Sequence, residues 1–108
     1  KRNIAYLTAG PIIAMVLEGN GVISGVRKIL GSTSPADGDV GTIRDDYSFD
    51  NYALADVVSR ATRTMLHASD SSENAEREIK IWFKKDEVCN NYETVAEKIF
   101  FDSNWDNI

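Results

Sequence analysis

Thr64-Met-Leu-His67-Ala-Ser-Asp70-Ser-Ser-Glu73-Asn-Ala-Glu-Arg-Glu78-Ile-Lys-Ile-Trp82 changes its period partway along. The short apolar start, Thr64 to His67, reads as a strand. Asp70-Ser-Ser-Glu73 then has the spacing of a capping box, and Ala75, Ile79 and Trp82 recur on one face of the helix that follows. A strand, a tight turn and a helix are predicted, with the only histidine of the chain at the strand's end.

A lone histidine is more often structural or simply exposed than catalytic, and its neighbours decide between these. Glu78 lies three residues beyond Ala75 and four before Trp82, on the edge of the apolar stripe. The turn would fold it back towards His67. A carboxylate that takes the proton of one ring nitrogen fixes the tautomer and leaves the other nitrogen free to attack. Ser69 is placed to bond the same carboxylate. The alternative is that Glu78 pairs with Arg77 or Lys85 at the surface.

Upstream, Ile12 to Glu18 is an apolar run between Gly10-Pro11 and Gly19, the pattern of a strand buried on both faces. Asn20 is expected to cap a helix through Val22, Ile23, Val26, Ile29 and Leu30, ended by Gly31 with Arg27 and Lys28 in its last turn. Gly31 to Asp50 is rich in Gly, Ser, Thr, Pro and Asp, and a long irregular loop is expected there. Asp50 or Asn51 would cap a short helix through Leu54, Val57, Val58 and Ala61. A last helix is predicted within Tyr92 to Phe101, and a loosely held tail from Asp102 to Ile108. Arg27, Thr33 and Arg44 are residue types that hold phosphate oxygens, by a planar fork or a neutral hydroxyl, although each alone is an ordinary surface residue.

Composition bounds the partners. The chain has 108 residues, 43% of them apolar, enough for one domain with one core. Its 17 acidic residues exceed its 12 basic ones, for a net charge of -5. That balance argues against a sequence-independent grip on nucleic acid or an anionic membrane. No apolar run approaches the roughly 20 residues that cross a bilayer. Cys89 is the only cysteine, which favours a reducing setting, the cytoplasm. There is no phosphate-loop glycine motif, no His-Glu-x-x-His and no Cys/His pair with zinc spacing. The first residue is Lys1, and the sequence is expected to begin inside a longer product.

Taken together, Tyr6 to Gly19, Arg27 to Asp37, Gly41 to Arg44, His67 to Asp70 and Ala75 to Phe83 resemble the nucleoside diphosphate kinases over most of the chain. The resemblance implies an α+β fold, a ferredoxin-like antiparallel sheet with helices, present as an N-terminally incomplete copy. Residues 1–108 would form one partial domain, with an inserted surface loop or helix at 47–63. The family's first strand would lie between the two strands retained, and residues 12–18 and 64–67 would not be neighbours.

The resemblance also implies a ping-pong transfer of the γ-phosphoryl group from a nucleoside triphosphate, ATP or GTP, to a nucleoside diphosphate. His67 would carry the phosphate, Glu78 would orient its ring, and Ser69 would support Glu78. Arg27, Thr33 and Arg44 would bind nucleotide phosphates, and Mg2+ would bridge those phosphates with no protein cage. Pro35 would lie in a loop that contributes to subunit contacts, and a homo-oligomer, tetramer or hexamer, is implied. The chain departs from the family pattern at Thr64, where an Asn usually contacts the sugar, and at Asp45, where a Gly usually follows the loop Arg. The family's phosphate-touching Lys has no counterpart here. With these departures, the alternative function is a non-catalytic nucleotide-binding or regulatory relative.

Overall fold

A computed structural model of the chain describes residues 1–34 and 37–100. It contains α1 (Arg2–Leu7), α2 (Val22–Leu30), α3 (Ile43–Tyr47), α4 (Tyr52–Val57), α5 (Ser72–Trp82) and α6 (Val95–Phe100), with a 3-10 turn at Lys85–Glu87 between the last two. Pro35 and the tail from Asp102 lie outside the described residues.

Four of the helices, α3 to α6, begin where side chains satisfy free N–H groups, whereas α1 and α2 start without a side-chain cap. Thr42 accepts from Asp45 N, Asn51 from Leu54 N, and Ser71 from Asn74 N at the starts of α3, α4 and α5. In α6, Thr94 and Glu97 cap reciprocally: Thr94 N donates to the Glu97 carboxylate at 2.6 Å and Glu97 N donates to Thr94 Oγ1 at 3.1 Å. The expected Asp70–Glu73 box does not form, and the cap lies one residue further on. Ser71 takes the cap, and Asp70 instead accepts from the Asn74 side-chain amide at 2.6 Å. Likewise α2 starts after Gly21, which has φ +61, and not after Asn20.

Two predictions fail. No strand pairing forms among the described residues, so neither 12–18 nor 64–67 is a strand here. A strand exists only through a neighbour that shares its hydrogen bonds; residues 11–18 are exposed along their whole length, Ile13 to 89%, and the backbone groups of 64–66 bond within a turn and to side chains. The stretch 31–50 is also not wholly irregular, because Thr42 nucleates α3 within it.

Little apolar surface is covered. The chain exposes 9068 Å², against about 6,000 Å² for a compact protein of its mass. Leu30 and Ala55 are the buried apolar side chains among the described residues, while Ser34, Arg44 and Asp50 are the buried polar ones. Ala75 and Ile79 of α5 are half-buried but Trp82 is exposed, so the expected stripe is covered over only part of its length. The tightest approach lies between α2 and α3, at Gly31. Its φ is +83, and a Cβ there would stand 2.7 Å from Thr42 Cβ, so the residue that ends α2 must be glycine for the cap of α3 to sit against it.

Gly31→Ala is expected to cost at least the 1–3 kcal/mol, roughly, of a forced left-handed backbone. Gly25→Ala is the control: it lies within α2 with nothing within 4 Å of the new Cβ, and should be neutral or stabilising by about 0.5–1 kcal/mol. Thermal melts of both variants check the pair; equal melting temperatures would refute the close-approach account.

Candidate active site

The backbone that leads into His67 is held by side chains. Met65 has φ +64, and Leu66 N donates to Thr64 O at 2.7 Å, closing a three-residue γ-turn of the rare positive-φ kind. A left-handed residue in mid-run breaks the alternation of a strand, which is the physical reason that 64–67 is not one. Methionine gains nothing from that conformation, so its surroundings must impose it.

Arg44 supplies much of that constraint. It is the second residue of α3 and is buried. Its Nε donates to Thr64 O at 3.2 Å, Nη1 to Gly31 O at 3.0 Å and Nη2 to Leu66 O at 2.8 Å. The carbonyls on both sides of Met65 are thus fixed by one rigid fork, and the end of α2 is fixed to the same group. Burial, and then the charge of Arg27, hold the Arg44 guanidinium below its ordinary value. From α1, the Tyr6 hydroxyl accepts from Met65 N at 3.1 Å.

Beyond the turn, His67 projects into solvent, its side chain 70% exposed, while Glu78 of α5 is 23% exposed. The caps and the turn 68–71 bring them together. His67 Nε2 lies 2.9 Å from Glu78 Oε2, and Ser69 Oγ donates to that same oxygen at 2.6 Å. An ionised carboxylate only accepts, so the shared contact places the ring proton on Nε2 and leaves the lone pair of Nδ1 free. The hydrogen bonds from Ser69 and then His67 lower the Glu78 pKa below its ordinary value, against a smaller opposing effect of burial. The alternative partner Arg77 stands 3.9 Å from the other oxygen, Oε1, a distance at which it adds charge but no close hydrogen bond.

The remaining candidates fall around this centre. Arg27, in the last turn of α2, donates to Ala68 O at 3.4 Å, next in sequence to His67. Thr64 turns its hydroxyl to Leu66 O at 3.5 Å. Thr33 is exposed, and no side-chain hydrogen bond joins it to the other six candidates among the described residues. Among those residues there is no group of three or more His, Cys, Asp or Glu side chains placed to hold a metal ion, and no helix long and apolar enough to cross a membrane. Sequence reasoning missed Tyr6, Asp50 and Arg60 as parts of this architecture. Asp50 and Arg60 stand on either side of α4 and carry no local motif; only the fold shows that they meet.

Because folding lowers the Glu78 pKa from 4.5, its contribution to stability is fully present above the unfolded value and is lost as pH falls through the lowered folded value. The melting temperature of wild type should therefore exceed that of Glu78→Gln at neutral pH, and the two should converge in acid below that window. A gap that persists unchanged into strong acid would show that the carboxylate charge is not what the site uses.

The family model for nucleoside diphosphate kinase matches residues 1–88. The nucleoside diphosphate kinase of Methanosphaera stadtmanae is 46% identical over 99 residues, covering 92% of this chain and 58% of that protein, and that of Pyrobaculum aerophilum is 49% identical over 85 residues, covering 79% and 46%. The crystal structure of an NDP kinase from Pyrobaculum aerophilum superposes with a TM-score of 0.81 at 46% identity, over 82% of this chain and 49% of that one. A Borrelia burgdorferi nucleoside-diphosphate kinase, solved as a transition-state mimic with vanadate and ADP, matches with a TM-score of 0.66 at 35% identity, over 74% and 47%. The chain spans about half the length of the relatives it matches.

Proposed function

The chain belongs to the nucleoside diphosphate kinase family, and from that premise we propose that it moves the γ-phosphoryl group of ATP or GTP onto a nucleoside diphosphate through a phosphohistidine on His67, within a ferredoxin-like α+β domain. The observation that carries the proposal is the His67–Glu78–Ser69 contact, 2.9 and 2.6 Å long, which leaves Nδ1 without a protein partner among the described residues.

In the first half-reaction the Nδ1 lone pair attacks the γ-phosphorus. A P–N bond forms, the bond from phosphorus to the β,γ-bridging oxygen breaks, and its electron pair leaves on the nucleoside diphosphate. The ring proton stays on Nε2, where the negative charge of Glu78 offsets the positive charge that the ring acquires. In the second half-reaction a terminal oxygen of the acceptor diphosphate attacks the same phosphorus and His67 is regenerated. The vanadate and ADP held by the Borrelia relative are the kind of ligand such a displacement would bind.

Arg27 and Thr33 would hold phosphate oxygens as the nucleotide docks. Three of the five N–H groups of Arg44 are spent on carbonyls, so two remain for phosphate, and the same residue would sense both the nucleotide and the turn. Thr64 would turn its hydroxyl from Leu66 O to the sugar. These cationic and hydroxyl donors suit phosphate and offer no oxygen cage, which fits Mg2+ entering on the nucleotide; when bound there, the ion neutralises phosphate charge. A homo-oligomer, tetramer or hexamer, in the cytoplasm completes the proposal.

The test is incubation with γ-labelled ATP and magnesium. An acid-labile, alkali-stable phosphoenzyme is expected, absent from His67→Asn. Glu78→Ala should slow phosphorylation by about one to two orders of magnitude, the scale for losing an orienting or acid-base group. No label on wild type would favour the non-catalytic nucleotide-binding alternative, and a wild-type rate in Glu78→Ala would remove Glu78 from the mechanism.

A further inference from the structure

Segment 47–63 contains a second grip on the same backbone. Asp50 is buried and receives the Arg60 guanidinium in a two-pronged contact, Nη1 to Oδ2 at 2.6 Å and Nη2 to Oδ1 at 2.9 Å. Oδ2 also accepts from Arg63 N at 2.6 Å. Arg60 Nη1 donates to Ala61 O at 3.0 Å and Ser48 Oγ to Arg63 O at 3.1 Å. Both backbone groups of Arg63 are therefore closed by residues 48–50, one residue before the carbonyl of Thr64 that Arg44 holds. α4 makes this possible: it starts at the Asn51 cap and turns back after the buried Ala55, where Arg60 N donates to Ala55 O at 2.9 Å. Its length sets Arg60 opposite Asp50.

We propose that Asp50 and Arg60 are positioning residues, which lock the backbone entering the Met65 turn and so set the aim of His67 Nδ1; the proposal rests on the phosphotransfer function above. An ion pair that served stability alone would end in itself. This one spends a carboxylate oxygen on the N–H of Arg63, two residues before a methionine that holds φ +64. Such a conformation persists only where several contacts over-determine it. Arg44 fixes the carbonyls at 64 and 66, but not the chain's entry at 63; Asp50 and Ser48 do that. Without the entry fixed, Met65 can relax to negative φ, which would swing the following two residues and take the ring away from Glu78. A misplacement of about 1 Å at a reacting atom can cost about a hundredfold in rate.

The test compares Asp50→Ala and Arg60→Lys with wild type, and with Glu93→Ala, which removes the exposed Glu93–Lys98 pair, in the whole protein. Three quantities are read: the ring-nitrogen tautomer of His67 by 15N NMR, the single-turnover rate of phosphorylation by ATP and magnesium, and the dissociation constant for ADP. Asp50→Ala is expected to mix the tautomers and slow phosphorylation by roughly 10- to 100-fold, with ADP affinity changed by no more than about threefold. Arg60→Lys keeps the charge but loses the fork and should fall between; Glu93→Ala should match wild type. If Asp50→Ala does not fold, Arg60→Lys decides by the same readouts. A folded variant with one tautomer and a wild-type rate overturns the proposal, as does a rate and an ADP affinity that fall by the same factor. Should wild type hold one tautomer yet take no label, the phosphotransfer function fails, and the tautomer of the variants still decides whether the clasp sets the ring.

Discussion

The guanidinium of Arg44 gathers the carbonyls of Gly31, Thr64 and Leu66 at 3.0, 3.2 and 2.8 Å, and the remaining architecture is arranged to let it. Gly31 gives up its Cβ so that the Thr42 cap, and with it α3, can bring Arg44 against the end of α2. Tyr6 and Asp50 then take the N–H groups of Met65 and Arg63 that Arg44 cannot reach. The chain before His67 is fixed on its N–H and its C=O sides by side chains from three different helices or their flanks.

This makes the centre of the described chain polar. Arg44, Asp50 and Ser34 are buried where a larger core would place apolar side chains, and no buried side-chain nitrogen or oxygen among the described residues lacks a partner. Buried groups of this kind are costly unless satisfied, and once satisfied they favour one arrangement over its near neighbours. Apolar packing around Leu30 and Ala55 contributes less to defining the site than these directed contacts do, because it does not fix a ring or a carbonyl at a chosen distance.

The sequence revealed those parts of the architecture that local chemistry governs. The amphipathic pattern from Val22 to Leu30, the Gly31 terminus and the Asn51 cap each follow from the preferences of one residue or its immediate neighbours. The pairing of Glu78 with His67 was legible because a turn and a helical register place them on one side. Other features depend on distant parts of the chain. α1 and α3 are too short to show a period; strands 12–18 and 64–67 were inferred from apolar runs, which say nothing of whether a partner strand is present. Nothing about methionine marks position 65 for a positive φ, and Arg44 looks like any loop arginine until the carbonyls it holds are brought to it.

The proposed chemistry would rest on one atomic choice. Nε2 is committed to Glu78, and Ser69 holds the same oxygen; in the proposed transfer only Nδ1 of the exposed His67 ring would be left to attack a phosphate. The direct measurement is 15N- and 31P-NMR of the phosphoenzyme, formed with ATP and trapped in alkali, to identify which atom carries the phosphorus. Phosphate bonded to Nδ1 of His67 is the expected result; phosphate on Nε2, or on Ser69, would contradict the account.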